Sequence, residues 1–463
     1  QQESVHQILR EQFQMNDALY ILSFLAKYLN LDAFWEDIIW HVCRENKDCF
    51  LGSMVEAQLE IYGTAPYKQK RMLHRKNVRN FMQTLNLPDD RIAEQERNKK
   101  RIVIVTEQLL SIMHAPTLIT LEFAYILQEK MNYEVCIITC PLDYHLPFDL
   151  WVDPRYYYGG FEGVRDIPYK GVKIRNIGCS MEDGSLERCS RMLHMIAAWK
   201  PWLVLELGVT NPLADLCREF TATVAMAMTT ECPVSEADIL IRYVPGTGAY
   251  EEACKRELLP YQKQIFMQEK LPVIAQEAEK ECVPDELGLP EGKFFVAVVG
   301  NRLDLEIDEA FLNIMKQIMD AAENVDFAVI GDAEKLQEKL AGTSYGKRIH
   351  FLGYCMDLPG TYRALHLYLN PRRLGGGWSS AMALMAGLPV VTLPACDVAY
   401  NVGGEFTVTT EEEMVDAVIR YASDDVFYAQ KKQIAIEKGR DGGEQKMLEY
   451  VTSLFTRIQE NVE

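Results

Sequence analysis

One stretch restricts the fold of this chain more than any other. Residues 349–404 begin IHFLGYCMDLPGTYRALHLYLNPRRLGGGWSSAMALMAGLPVVTL. The apolar run Ile349–Leu352 predicts a strand, turned by Gly353. A short helix and a second buried strand, Leu367–Asn370, follow. Pro371, Arg372 and Arg373 lead into three glycines, Gly375, Gly376 and Gly377. A helix opens at Ser379 and ends at Gly387, and Leu388–Leu393 forms another apolar strand. Strand, glycine loop and helix N-terminus together make an anion site. Glycine lets the backbone approach closely, and the free N–H groups and the helix dipole favour negative charge. A diphosphate suits such a place.

The run resembles the donor half of a GT-B glycosyltransferase that uses a nucleotide-sugar. In that family a strand end of the form F-x-G contacts the base, a proline ends the next strand, and a glycine loop opens the helix that grips the diphosphate. Phe351-Leu352-Gly353, Pro371 and Gly375–Gly377 stand in those places. Ser379 and Ser380 match the small or hydroxyl residues of the helix start, and Ala386-Gly387-Leu388-Pro389-Val390-Val391 matches the closing x-G-x-P-V-V. Many members carry a carboxylate in this helix, five residues before that glycine, to hold the ribose hydroxyls. Met382 occupies the position here. Either the ribose is held otherwise, or donor binding is weakened or lost.

The 463 residues suffice for two or three domains, and a 48% apolar content is that of a globular chain. A net charge of −19 argues against a general nucleic-acid or anionic-membrane binder, while leaving room for a local basic site. The 12 cysteines form no C-x-x-C pair and lie in apolar segments such as Val135-Cys136-Ile137, which predicts reduced, buried thiols, no metal site and a cytoplasmic protein. No apolar run is long enough for a membrane span.

Residues 1–98 read as a helical subdomain. Within it the strongly basic run 67–79, YKQKRMLHRKNVR, is either a solvated helix face or a contact for an acidic acceptor or for another subunit, in a homo- or hetero-oligomer. Residues 99–275 read as a first Rossmann-like domain. The strand Ile102–Val105, a helix with Leu121, Phe123 and Leu127, and the strand Tyr133–Ile138 make a βαβ unit and hence a parallel sheet. His114 lies in the loop after the first strand, as a catalytic base or as a structural histidine; His145 is a weaker base candidate. Residues 141–190 read as irregular. The strand Trp202–Leu207 places Glu206 and Asn211 near a strand C-terminus as acceptor-side candidates, Asn211 with helix capping as the alternative. Glu231 and Glu236 are acid candidates without a confirming partner, and 244–290 reads as the interdomain connection.

The donor-binding domain spans 276–440, and 441–463 is a C-terminal helix expected to pack back on the first domain. After the strand Phe294–Gly300, Asn301-Arg302-Leu303 resembles the GT-B G-x-R/N-L turn, whose basic residue reaches the donor phosphates. The resemblance therefore implies Asn301, Arg302, Gly376, Gly377, Trp378, Ser379 and Ser380 for the diphosphate. It implies Phe351, Gly353 and Tyr354 for the base, and Asp397 and Asn401 for the sugar. It also implies an α/β fold of two Rossmann-like domains facing a cleft, and a metal-independent glycosyltransferase of hexosyl or N-acetylhexosaminyl type. Such an enzyme needs no cofactor beyond its nucleotide-sugar substrate, most often UDP-linked, and has a protein or glycan acceptor. Two alternatives stay open: a non-catalytic GT-B subunit that stabilises a partner transferase or its protein substrate, and a nucleotide-sugar epimerase.

Overall fold

The computed structural model describes residues 15–29, 33–45, 52–53, 55–56, 66–88, 91–107, 109–110, 114–140, 162–179, 185–208, 210–229, 231–243, 248–274, 280–373, 375–394, 396–440 and 442–462. The chain divides into two compact units. One comprises Gln1–Glu269 with Val451–Glu463, the other Lys270–Tyr450.

The first unit is built on an eight-stranded sheet. Its strands are β1 (Asn98–Thr106), β2 (Glu134–Thr139), β3 (Gly163–Tyr169), β4 (Val172–Gly178), β5 (Pro201–Leu207), β6 (Ala222–Met226), β7 (Ile239–Arg242) and β8 (Lys263–Phe266). They lie in the order β3-β4-β2-β1-β5-β6-β7-β8, all parallel except β3 against β4. Its helices are α1 (Met15–Leu29), α2 (Ala33–Glu45), α3 (Tyr67–Thr84), α4 (Ala115–Tyr125), α5 (Ser185–Trp199), α6 (Pro212–Leu216) and α7 (Gly248–Arg256). The central strands are continuous apolar runs because helices cover both faces of a parallel sheet. Strand order reverses between β1 and β5, so their C-terminal ends form the crevice where ligands sit in open α/β sheets.

Two sequence expectations change here. The hairpin β3–β4 lies in the segment read as irregular, and α7 and β8 lie in the segment read as an interdomain connection. The basic run is a solvated face only in part: Lys68 and Arg79 are exposed, while Lys70 and Arg71 are buried and Arg75 half-buried. It forms α3, whose Val78 and Phe81 join the core with Met192, Leu193 and Ile196 of α5 and Leu213 of α6, over Val103, Val105 and Val204. Lys70, Arg71 and Arg75 of α3 are matched to the β6–β7 connection, which carries no helix among its described residues, and to the segment before β8. Lys70 Nζ lies 3.1 Å from Glu231, and the buried Arg71 guanidinium lies 3.2 Å from Glu236 and 2.9 Å from the Gln262 side-chain oxygen. Arg75 reaches Glu236 at 3.2 Å and Glu257 at 3.4 Å. Tyr67 OH donates to the Pro233 carbonyl at 2.9 Å. Helix α3 thus supplies the layer that a crossover helix between β6 and β7 would otherwise provide. The carboxylates of Glu231 and Glu236 are engaged structurally.

His74 on the same helix is fully buried between carboxylates. Its Nδ1 lies 3.0 Å from Glu56, and its Nε2 makes a short contact with Asp215, which also accepts from Ser235 Oγ at 2.6 Å. Burial alone would pull the imidazole down. The charges of Glu56 and Asp215, with their hydrogen bonds, outweigh it and hold His74 well above 6.5.

The second unit is a five-stranded parallel sheet of β9 (Phe294–Gly300), β10 (Val325–Gly331), β11 (Ile349–Gly353), β12 (Leu367–Leu369) and β13 (Val390–Val391), in the order β11-β10-β9-β12-β13. Its helices are α8 (Leu303–Glu306), α9 (Glu309–Ala321), α10 (Glu334–Leu340), α11 (Leu358–Tyr362), α12 (Gly377–Met385), α13 (Asp397–Val402), α14 (Glu411–Ser423), α15 (Asp425–Gly439) and α16 (Glu444–Val462). Successive residues of β9 serve opposite cores. Val296 and Val298 pack with α9 and α14, while Phe295, Ala297 and Val299 pack with α11, α12 and α13. Helix α16 ends within the first unit, where Arg457 donates to the Phe266 carbonyl at 2.8 Å. No described helix is long and apolar enough to cross a membrane.

Two outcomes are expected. Arg71→Met removes the buried guanidinium that Glu236 shares with Arg75 and the donor to the Gln262 side-chain oxygen, and is expected to destabilise the first unit by about 3 kcal/mol in urea denaturation, against less than about 0.5 kcal/mol for the exposed Arg79→Met. Because the folded pKa of His74 is raised, its stabilisation is complete below 6.5 and is lost as pH rises through the folded value. Urea midpoints measured from about pH 6 to about pH 9 should therefore fall more steeply for the wild type than for His74→Leu.

Candidate donor-binding site

In the second sheet the chain leaves β9 for β10 and β11 on one side and returns to β12 and β13 on the other, so the switch point lies at the C-terminal ends of β9 and β12. The turn carrying Asn301 and Arg302 follows β9, and the glycine loop follows β12. Topology thus brings the two predicted diphosphate elements to one crevice.

The centre of that crevice is Arg373, whose side chain is only 6% exposed. Its guanidinium donates to the Val299 carbonyl at 2.7 Å, Tyr368 OH at 2.8 Å, Asn370 Oδ1 at 2.9 Å and Glu306 Oε2 at 2.5 Å. Tyr368 OH lies 3.0 Å from Ser379 Oγ, which lies 3.0 Å from the Gly376 carbonyl. One consistent chain of donors therefore runs Arg373, Tyr368, Ser379, Gly376. Gly376, with φ +93°, caps α12 directly against the guanidinium. A Cβ at Gly376 would lie 2.7 Å from Arg373 Nη2, and one at Gly300 would lie 2.5 Å from Nη1. Sequence reasoning placed Arg373 beside the loop but gave the phosphate role to Arg302. The pairing of Arg373 with residues up to 74 positions away is invisible to local pattern.

Arg302 is the accessible cation. Its side chain is 50% exposed, lies 3.4 Å from Glu306, and stands 3.9 Å from where a Cβ of Gly375 would be. Glu306 therefore bridges a buried and an open guanidinium at the mouth of the loop. Asn301 is exposed and approaches the Gly331 turn. The hydroxyls of Ser379 and Ser380 turn back to the carbonyls of Gly376 and Gly377 at 3.0 and 2.8 Å, which leaves the first-turn N–H groups of α12 as donors for an anion. Trp378 is half-buried against the core. Asn401 Nδ2 donates to the Gly377 carbonyl at 2.7 Å, so its amide holds the loop; Asp397 opens α13 beside Gly377.

The base candidates end β11, with β10 between them and β9. Phe351 is half-buried, Gly353 turns with φ +67°, and Tyr354 is 58% exposed. Met382 is 7% exposed and belongs to the apolar core under α12. The position that carries a ribose carboxylate in many members faces inward here.

In the first unit, His114 is the N-cap residue of α4, at the β1 end of the other switch point. Its Nδ1 lies 3.0 Å from Thr117 Oγ1, which accepts the Leu110 N–H at 2.9 Å. Burial pushes the imidazole down to about 4. His114 is thereby neutral near pH 7, with a basicity below the range suited to a general base. Glu206 is buried at 2% exposure, on the sheet face of Val103, Val105 and Val204. Burial first, then the Asp215 charge, raises its carboxyl well above 4.5. It lies inside the layer rather than at an acceptor surface. Asn211 caps α6, accepting the Leu213 N–H at 3.0 Å. His145 lies outside the described residues.

Residues 295–424 match the family described as Glycosyl transferases group 1. Among solved structures, the chain is similar to an O-GlcNAc transferase mutant of Thermobaculum terrenum, with a TM-score of 0.61 and 15% identity over 97% of this chain and 87% of that one. A glycosyltransferase from Rickettsia africae gives a TM-score of 0.54 and 11% identity over 79% and 100% of the two chains. Anabaena Alr3699/HepE in complex with UDP and glucose gives 0.53 and 12% over 78% and 99%. No curated protein sequence matches the chain. The chain thus has the GT-B fold, and the family match falls within its second unit.

Gly376→Ala forces an L-residue to φ +93° and a methyl onto Arg373. It is expected to cost the second unit about 2 kcal/mol, read as a lowered urea midpoint.

Proposed function

We propose that this protein is a glycosyltransferase that binds a nucleotide-sugar, UDP-linked in the simplest case, with its diphosphate at the glycine loop of the second unit. The observation that carries this reading is the switch-point crevice, where the accessible Arg302 guanidinium and the N-terminus of α12 converge over the buried Arg373. The first-turn N–H groups and Arg302 would bind the leaving diphosphate and stabilise the charge that develops on it. That is also how a transfer reaction proceeds without a metal. Anabaena Alr3699/HepE, solved in complex with UDP and glucose, supports this donor class. A protein or glycan hydroxyl is the acceptor, and the sugar is a hexose or N-acetylhexosamine. His114, neutral at pH 7, contacts a substrate oxygen rather than serving as the base.

A second reading has one observation in its favour. Helix α12 carries no carboxylate, and Met382 is packed into the core. A chain that has lost the ribose contact would serve as a non-catalytic subunit, stabilising a partner transferase or its protein substrate.

Isothermal titration with UDP, GDP and UDP-sugars separates the two. Micromolar binding of one nucleotide, weakened roughly 10- to 100-fold in Arg302→Ala, is the expected result, since a charge-assisted phosphate contact contributes about 1.5–3 kcal/mol. No binding of any nucleotide at millimolar concentration overturns the transferase reading in favour of the partner subunit.

A further inference from the structure

The second unit begins at Lys270, where the chain leaves the first unit. Lys270 has an unusual attachment. Its ammonium makes a short hydrogen bond to the Tyr400 carbonyl, a second at 3.2 Å to the Asn401 carbonyl, and lies 5.0 Å from the centre of the Tyr400 ring. These carbonyls end α13, where a helix leaves acceptors unsatisfied and favours a cation. Asn401 in turn donates from Nδ2 to the Gly377 carbonyl at 2.7 Å. The fit at that point is tight: a Cβ on Gly377 would lie 2.8 Å from Asn401 Nδ2 and 3.1 Å from Asp397 Cβ. The same carbonyl also accepts from Ser380 Oγ at 2.8 Å.

A continuous set of polar contacts therefore runs from residue 270 through the end of α13 to the first residue of α12. The surrounding segments leave little slack. Gly443 donates to the Val273 carbonyl at 2.8 Å, so the segment entering the unit is bonded to the segment leaving α15. Gly439 at the end of α15 packs on the Leu384 carbonyl and Met385 of α12, where a Cβ would sit 2.6 Å away.

We propose that Lys270 is a positioning residue of the donor site: it holds α13 so that Asn401 can pin the Gly377 carbonyl and keep the first-turn N–H groups of α12 aimed at the diphosphate. Lys270 acts through Asn401 and touches no ligand. The inference rests on the donor reading given above for its consequence, but the contact path itself exists in the free protein.

The test has two arms on the full chain. In the free protein, amide hydrogen exchange at Ser380, whose N–H bonds the Gly376 carbonyl at 3.1 Å, is compared between wild type, Lys270→Met, Lys270→Arg and Asn401→Ala. Exchange about tenfold faster in Lys270→Met and Asn401→Ala, with recovery in Lys270→Arg, is expected; unchanged exchange in Lys270→Met overturns the proposal, whatever the chain binds. In the second arm, UDP titration is run on the same variants and on the double variant Lys270→Met/Asn401→Ala. Each single change is expected to weaken UDP about tenfold, the double no more than the weaker-binding single, and the donor KM to rise with kcat little changed. Additive losses overturn the path through Asn401. A wild type that binds no nucleotide fails the donor reading alone, and the exchange arm then decides whether Lys270 sets the loop.

Discussion

The second unit depends on one buried cation. A guanidinium out of water is stable only when its donors are met, and Arg373 meets them with a strand-end carbonyl, a tyrosine hydroxyl, an amide oxygen and the Glu306 carboxylate. Those partners come from the ends of β9 and β12 and from α8, so the charge draws the switch point together. It also dictates residue types around it. Gly300 and Gly376 lie so close to the guanidinium plane that no side chain fits at either. The glycine loop thus serves two demands: approach by an anion from outside, and approach by an arginine from inside.

The same division between a buried and an open charge explains why Arg302 can face solvent. Glu306 is shared by both guanidinium groups, at 2.5 Å from Arg373 and 3.4 Å from Arg302. The carboxylate is balanced chiefly from beneath, and the looser contact leaves Arg302 available to an incoming phosphate. Were Arg373 absent, Glu306 would hold Arg302 alone, and the mouth of the crevice would offer an anion a neutral pair.

What could be read from sequence follows from how local the signal is. The central strands are continuous apolar runs, so β5 and β9 are visible within a residue or two of their ends and β1 from its apolar half, and the glycine loop with its helix is visible through composition alone. The hairpin β3–β4 escaped because both strands carry exposed charges, Arg165 and Asp166 on the edge strand β3 and Lys173 and Arg175 on β4, where an interior strand would be apolar. Helix α3 was misread for a different reason. Its cations look solvated because the carboxylates that match them lie more than 160 positions away. Glu206 stands at the expected strand end, yet its side chain lies on the face that α3 and α6 cover, and register against β1 decides which face that is.

Met382 links the packing to the chemistry. A carboxylate in that position would be surrounded by the apolar groups of the core under α12, and burying it without partners would cost several kcal/mol, on the order of its lost hydration. The methionine is therefore more than the loss of a contact. The helix is turned and packed so that this position serves the core, and its N-terminal end serves the loop. Any ribose bound in this crevice must then be held by groups outside α12, and the edge formed by β11, where Tyr354 and Gly353 are open, is the part of the same sheet that presents them. An open helix N-terminus and a side-chain carboxylate on the same helix are thus separable features, and α12 has the first without the second.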